Sequence, residues 1–439
     1  VNLDKHHVVS TEPTVTATNG SKTRKAVFAA AIGNTLEWYD MAVYAYFAPI
    51  ISKLFFPSSS AIASLLLTFA VFAVGFIIRP LGAIIFGPYG DRVGRKKALS
   101  LAIILMGVST FVIGILPTYD QIGLLAPILL VAARLAQGLS AGGEWGSNTS
   151  FIVEYAKPGK RGFYGSWNQV STAGGSLLGS IVAAILTNVV TPETLSAWAW
   201  RIPFIIGIVI CVFGYYLRAK LDETPEFESA SKKEQVSKTP LLDLIKKHPK
   251  DLFVTFGFTV HWTASFYLLL TYMPSYISNV MKLPYNLALL SNVIVLFFFI
   301  TIVPFVGALS DKIGRKPLLI TSTLGFILLS YPLFSLMSHS GFVMIVLCQM
   351  VLAVFLSAFS GPGPAAIAEL TSTRIRSSAL SIGYNTAVAA FGGTAPFIAT
   401  YLVSVTDNKL SPTFYVIGCA LITFLVLIRL KETFKEPLK

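Results

Sequence analysis

Charge is scarce in this sequence: only 13% of its 439 residues are Asp, Glu, Lys or Arg, while 54% are apolar and the mean hydropathy is +0.69. A water-soluble domain carries about twice that share of charge, so most of this surface needs a solvent other than water. Cysteine is scarcer still. The three present, Cys211, Cys348 and Cys419, sit in three separate apolar segments and read as small buried residues, without a redox or metal role. The five histidines form no ligand-spaced set, with His6 and His7 both near the N-terminus. No metal, no cofactor and no enzyme chemistry of the nucleophile–base or metal-cluster kind is therefore expected. Sustained heptads are missing, which excludes a long coiled coil, and the apolar segments do not alternate as barrel strands would.

What is present is a series of apolar runs of about 20 residues broken by short polar turns, the pattern of a multi-span helical bundle. Twelve spans are expected, at 27–52, 62–87, 98–117, 123–149, 162–190, 199–218, 252–280, 285–308, 317–337, 341–365, 377–404 and 411–430. The fold class is thus an all-α membrane protein of two six-helix halves, 27–218 and 252–430. An N-terminal tail (1–26), a central loop (219–251) and a C-terminal tail (431–439) complete it. The segment up to Lys25 is polar and the apolar run behind it is too long for a signal core, so no cleavable leader is expected. The central loop contains LLDLIKKH, which suits either a short interfacial helix or a solvated linker.

The net charge of +13 would suggest nucleic acid in a soluble chain, but its placement argues otherwise. Most of the 34 Lys and Arg fall in the two tails, the central loop and the loops on that same side. The opposite loops hold only Lys53, Arg201, Lys282 and Lys409. By the positive-inside rule both termini face the cytoplasm, in a plasma or inner membrane.

The halves repeat each other. GPYGDRVGRKKAL at 87–99 returns as GALSDKIGRKPL at 307–318, and EYAKPGKRGFYGS from Glu154 returns as ELTSTRIRSSALS from Glu369. Asp91 aligns with Asp311, Arg95 with Arg315, Glu154 with Glu369 and Arg161 with Arg376. Glycines 87, 90 and 94 are read as turn residues. A duplicated six-span unit is the layout of a transporter whose halves rock about a site at their interface.

The G-x-x-x-D-[RK]-x-G-R-[RK] motif after spans two and eight, with Arg134-x-x-Gln137-Gly138 in span four, resembles the major facilitator superfamily. GNTLEWYD at 33–40, RPLGAIIFG at 79–87, GLSAGGEWG at 138–146, WRIPFIIG at 200–207, LTYMPSYI at 270–277 and SIGYN at 381–385 look like its metabolite:proton symporters. Those include carriers of citrate, 2-oxoglutarate, dicarboxylates, shikimate, and proline or betaine. The resemblance implies alternating access and a cytoplasmic gate of Asp91, Arg95, Glu154 and Arg161 in the first half. In the second half it implies Asp311, Arg315, Glu369 and Arg376. The alternative for these charges is that they merely set topology.

Several costly residues lie inside spans. On an ideal helix Arg134, Gln137, Glu144 and Asn148 fall within an arc of about 80°, and Asn34, Glu37 and Tyr44 share a face of span one with Asp40 one step round. Glu37, Asp40, Arg79, Arg134 and Glu144 place both signs of charge in the first half. Asp40 and Glu37 as a pair, with Glu144, are the proton-coupling candidates, and Arg79 is a structural or coupling partner. Substrate contacts are expected from Arg134 first, as a partner for a carboxylate, with Gln137, Asn34, Tyr44, His261, Tyr384 and Asn385. Trp262, Tyr267, Tyr272 and Tyr276 read mostly as bundle core or interface belt. Glycines 138, 142 and 146 read as helix-packing positions, and Gly361-Pro362-Gly363-Pro364 as a break in span ten.

The expected protein is a monomeric symporter, driven by protons, importing a small carboxylate-bearing metabolite. An organic acid ranks first. A zwitterionic osmoprotectant such as proline or betaine ranks second, with aromatic groups against its methylated ammonium.

Overall fold

The computed structural model describes residues 34, 35, 37–93, 95–142, 144–157, 159–219, 249–371, 376–436 and 438. The N-terminal tail, Gly94 and nearly all of the central loop, LLDLIKKH included, lie outside the described residues. So do the side chains of Asp91, Arg95 and Glu144.

Among the described residues every regular element is a helix, as a lipid environment demands, because each backbone polar group must be paired within its own segment. The first span runs from 34 to 55 with one turn residue at 47. The second is Ala61–Ile77 continued by Arg79–Val93, the third Arg95–Ile115, the fourth Leu125–Ala141 continued by Glu144–Tyr155, the fifth Arg161–Val189 and the sixth Ile202–Ala219. The seventh joins Pro249–Phe266, a π-helical stretch Tyr267–Tyr272 and Met273–Asn279. The eighth is Tyr285–Ile313, the ninth Lys316–Ser338, and the tenth Phe342–Ser360 continued by Gly363–Leu370. The eleventh joins Arg376–Ala387, a π-helical stretch Val388–Gly392 and Ala395–Thr406, and the twelfth is Ser411–Arg429.

Eight of these helical stretches are long and apolar enough to cross a membrane unaided. Local chemistry sets several starts. Ser60 accepts the Ala63 N–H to open the second span, and prolines occupy the first turns of the ninth and twelfth. The outer faces are apolar: Phe305 is 72% exposed and Leu328 67%, which suits contact with lipid.

Two helices run further than hydropathy alone suggests. Gly87 and Gly90 lie within the helix Arg79–Val93, not in a turn, and Asp311 sits on the last turn of Tyr285–Ile313. The turn itself falls at Gly314, whose φ of +102° favours glycine. The expected break in span ten is found at 361 and 362. Spans two and four touch backbone to backbone: a Cβ on Gly138 would lie 2.0 Å from the Gly75 carbonyl oxygen, and one on Gly142 would lie 2.1 Å from that of Arg79.

The duplication is visible in the packing. Spans three and six pair on the outside of the first half, and nine and twelve on the outside of the second. Between the halves, the 29-residue spans five and eight pack along each other, and span eleven lies against spans two and four.

At the end that carries the repeated motifs, the halves exchange partners. Arg376 of the second half meets Glu154 of the first at 2.7 Å, and Arg161 of the first meets Glu369 of the second at 3.7 Å. Asp311 accepts the Gly162 and Phe163 N–H groups at the start of span five, both at 2.9 Å. Arg315 bridges Asp311 at 2.8 Å and Glu369 at 3.2 Å. Burial disfavours its charge, but the two carboxylates more than offset this and hold the guanidinium above its ordinary value.

The C-terminal residues join the cluster, which sequence patterning did not suggest. Glu432 accepts the N–H groups of Arg315 and Lys316, Thr433 donates to Glu369 at 2.8 Å, and Arg161 donates to the Glu436 carbonyl.

A double-mutant cycle over Glu154→Gln and Arg376→Gln, followed by melting in detergent, should return a coupling energy of about 1 to 3 kcal/mol. Additive losses would show that the pair does not hold the halves together.

Candidate functional site

A small cavity lies midway between the ends, where spans one and five of the first half face spans seven and eleven of the second. Five of its wall residues are aromatic: Trp38, Trp262, Phe266, Tyr267 and Tyr384. Gln169, Thr172 and Thr263 supply its polar edge.

The rings are held in place by specific contacts. Trp38 packs against Phe266 and Tyr267 with centroids 5.7 and 5.8 Å apart. The Trp262 indole N–H donates to Ser360 at 2.9 Å, beside the break in span ten. Tyr384 lies flat on Trp145, 3.5 Å away and only 4° from parallel, and Trp145 meets Trp262 edge-on. Among the described residues the buried Tyr267 and Thr263 hydroxyls have no hydrogen-bond partner, an expensive state unless water or a ligand completes them.

Both ends of the cavity are shut. The motif-end pairs close one side. On the other, the Tyr46 hydroxyl donates to the Leu270 carbonyl at 2.8 Å, Tyr285 bonds to the Tyr46 carbonyl, and Asn292 donates to Ser180 at 3.2 Å.

Of the residues expected to touch substrate, Tyr384 lines the cavity and the others take up different positions. Arg134 is fully buried inside the first half, with its guanidinium 4.5 Å from the Tyr44 ring centre and 5.4 Å from that of Phe72. It donates to Gln137 at 2.7 Å. Gln137 donates to Thr110 at 2.6 Å, and Thr110 donates to Asp40 at 2.9 Å. Arg134 and Asp40 are thus linked through two neutral groups.

Tyr44 donates to the Thr68 carbonyl. Asn34 ties span one to span five through Ser171 and Thr172. Asn385 donates at 2.6 Å to the Gly142 carbonyl, across the halves, just past the end of the first helix of span four. His261 contacts Ser265 and Ser322 through its two ring nitrogens and lies between Phe326 and Phe359, inside the second half.

The two carboxylates of span one do not form a pair. Asp40 faces Thr110 of span three and Gly207 of span six, whereas Glu37 meets Arg79 of span two at 3.2 Å. Arg79 stands 4.5 Å from the Phe76 ring centre and 5.9 Å from that of Trp38.

Sequence reasoning missed most of the cavity wall. Trp262 and Tyr267 were counted as core, and Trp38, Phe266, Gln169, Thr172 and Thr263 were not singled out. One available signal was Trp38 itself, beside Glu37 in GNTLEWYD. Among the described residues no group of His, Cys, Asp or Glu is arranged to hold a metal.

A small cavity between two six-helix halves, with contacts crossing the interface on either side of it, is the arrangement of a membrane carrier and not of an enzyme. The chain belongs to the major facilitator superfamily: residues 26–252 match the family described as "Sugar (and other) transporter", and residues 288–439 match "Major Facilitator Superfamily". It is 37% identical over 434 residues to the "Glycine betaine/proline/ectoine/pipecolic acid transporter OusA" of Dickeya dadantii, covering 97% of this chain and 86% of that one. It is 36% identical over 434 residues to the "Proline/betaine transporter" of Escherichia coli K12, covering 97% and 87%. In fold it resembles the xylose transporter XylE from E. coli in a partially occluded inward open conformation, with a TM-score of 0.75 at 20% identity over 94% of this chain and 99% of that one.

The Tyr267→Phe variant removes a hydroxyl that has no partner among the described residues, so its unfolding free energy without ligand should stay within about 1 kcal/mol of the parent's or rise. A larger loss would place that hydroxyl in a bond to the protein itself.

Proposed function

We propose that this carrier imports a small zwitterion of the betaine or proline kind, driven by the proton gradient, across a cytoplasmic membrane with its motif-bearing end inside. No bound cofactor takes part. The observation that carries the reading is the aromatic wall of the cavity. Ring faces attract a methylated or secondary ammonium through the quadrupole of the π-system, and desolvation strengthens that attraction to about 2 kcal/mol per ring. A cavity built for a di- or tricarboxylate would instead converge several cationic donors on its centre.

This ranking reverses the order drawn from sequence, in which an organic acid stood first because Arg134 was expected to face the substrate. Arg134 lies behind Tyr44 and Phe72. The named substrates of the relatives support the same order.

Asp40 is the group best suited to carry the coupled proton. It is 1% exposed, and Thr110 bonds one oxygen, while Arg134 reaches it only through Gln137 and Thr110. A proton removes a buried charge that no cation touches. In the inner gate Glu154, Arg161, Asp311, Arg315, Glu369 and Arg376 hold the motif end together, and Asp91 and Arg95 are assigned to it by the repeated motif alone. Such a gate opens when the cross-half pairs exchange for water, as partly exposed pairs do at small cost.

Uptake of labelled glycine betaine and proline into proteoliposomes with an inward proton gradient tests the class, with citrate and 2-oxoglutarate as competitors. The zwitterions should be accumulated and the acids should not compete. Accumulation of an organic acid instead would overturn the reading. Asp40→Asn should lose accumulation driven by pH yet keep exchange of external for internal substrate, because the loaded carrier still moves between its two faces. Intact accumulation would place the proton elsewhere.

A further inference from the structure

We infer that the Arg79–Glu37 ion pair is the element by which the cavity selects net-neutral zwitterions over anions, Arg79 receiving the substrate carboxylate. This deepens the proposed substrate class and rests on it.

The pair is placed for that task. Arg79 is fully buried and Glu37 is 3% exposed. They approach to 3.2 Å, and among the described residues the Arg79 Nε has no hydrogen-bond partner. A guanidinium carries five donors in a planar fork. One buried inside a protein with a free edge has capacity for a second oxygen acceptor, and a carboxylate fits that fork.

The pair borders the cavity wall. Arg79 sits against Trp38, a wall residue, and against Phe76, whose ring meets that of the wall residue Tyr267 edge-on at 5.2 Å. The Tyr267 hydroxyl, itself without a partner, is a second donor for the same carboxylate.

Charge balance supplies the selectivity. Arg79 and Glu37 cancel, so the charged pair nearest the cavity sums to zero. A zwitterion adds nothing to that sum. Its carboxylate lies on Arg79 and its ammonium end among the rings, on the side where Glu37 contributes negative potential. An organic anion of similar size brings a net charge into a low-dielectric site with no cation left over, which is strongly unfavourable. The pair is therefore a fixed dipole matched to the dipole of the substrate.

The test compares glycine betaine with 3,3-dimethylbutanoate, in which carbon replaces the quaternary nitrogen. The shape is kept while the net charge changes from zero to minus one. Binding to purified protein in nanodiscs is followed by calorimetry.

The parent should bind glycine betaine and discriminate against the carbon analogue by about tenfold or more. Glu37→Gln leaves Arg79 uncompensated and should narrow or invert that ratio. Because each single change strands a buried charge, the Glu37→Gln/Arg79→Gln double variant is the control for folding. It should stay monodisperse and melt near the parent, yet lose betaine affinity by about tenfold or more, since a charge-assisted bond is gone.

A folded double variant that binds betaine as the parent does would overturn the inference and leave the substrate class intact. A Glu37→Gln ratio equal to the parent's would also overturn it. A parent that prefers the carbon analogue or citrate to betaine and proline would bring down the substrate class, and this inference with it.

Discussion

Two ion pairs that cross between the halves, Glu154 with Arg376 and Arg161 with Glu369, are the constraint on which the rest of the structure depends. Each half contributes one acid and one base, and each finds its opposite on the other half. These residues sit on spans four, five, ten and eleven or at their ends. The same spans carry Trp145, Gln169, Thr172, the break beside Ser360, and Tyr384. Whatever moves the pairs apart therefore moves the cavity walls. Their unequal burial matters too. Arg376 is 1% exposed and Glu154 24%, so water reaches one partner. A pair with a wet side is less costly to break than one sealed on both.

Charge is arranged differently inside the first half. Among the described side chains four ionisable groups lie at depth, in two separate units. Glu37 and Arg79 touch directly, next to the cavity. Asp40 and Arg134 are joined only through Gln137 and Thr110, further from it. A direct pair holds its charge, whereas a carboxylate linked through neutral groups changes its charge without separating two ions. Among the described residues the second half buries no comparable charge within the membrane: His261 is satisfied by two serines, and its contribution to the cavity is mainly aromatic.

The fold was legible because its signals are repeated and periodic. Twelve apolar runs, two copies of each motif and a one-sided distribution of Lys and Arg all point to one architecture. The reciprocal pairing was half legible. Alignment matched Glu154 with Glu369 and Arg161 with Arg376, but only coordinates show that each acid takes the base of the other copy. The cavity was the least legible part. In a chain with 32 Phe, 17 Tyr and 6 Trp, aromatic residues on a buried face have no pattern that separates a binding wall from packing. Arg134 misled for a related reason. Helical phase places it on the polar face of span four, but not beside substrate, because Tyr44 and Phe72 intervene. The tail residues Glu432 and Thr433 were hidden by their short polar segment, which reads as solvated until its hydrogen bonds to Arg315, Lys316 and Glu369 are seen.

Irregular helix geometry collects around the cavity, and this connects its shape to its motion. The first helix of span four ends at Ala141, and Asn385 of the other half takes up the carbonyl of the next residue, Gly142. Span ten breaks at 361 and 362, where Ser360 holds Trp262 and Gly363 approaches the same ring, an added Cβ there lying 3.1 Å from it. The π-helical stretch of span seven begins at Tyr267. That of span eleven brings Gly392 so close to Thr263 and Tyr267 that any side chain would collide with them, at 2.3 Å from the Thr263 hydroxyl. Regular helices resist local bending, because every turn is locked to the next by its hydrogen bonds, whereas breaks and π-turns release a few of those bonds and give the helix a place to flex. Those of spans seven, ten and eleven touch aromatic walls of the cavity. On the proposed reading, a substrate that settles among those rings acts directly on the points where three spans bend most easily, two of them continuous with the helices that carry Glu369 and Arg376.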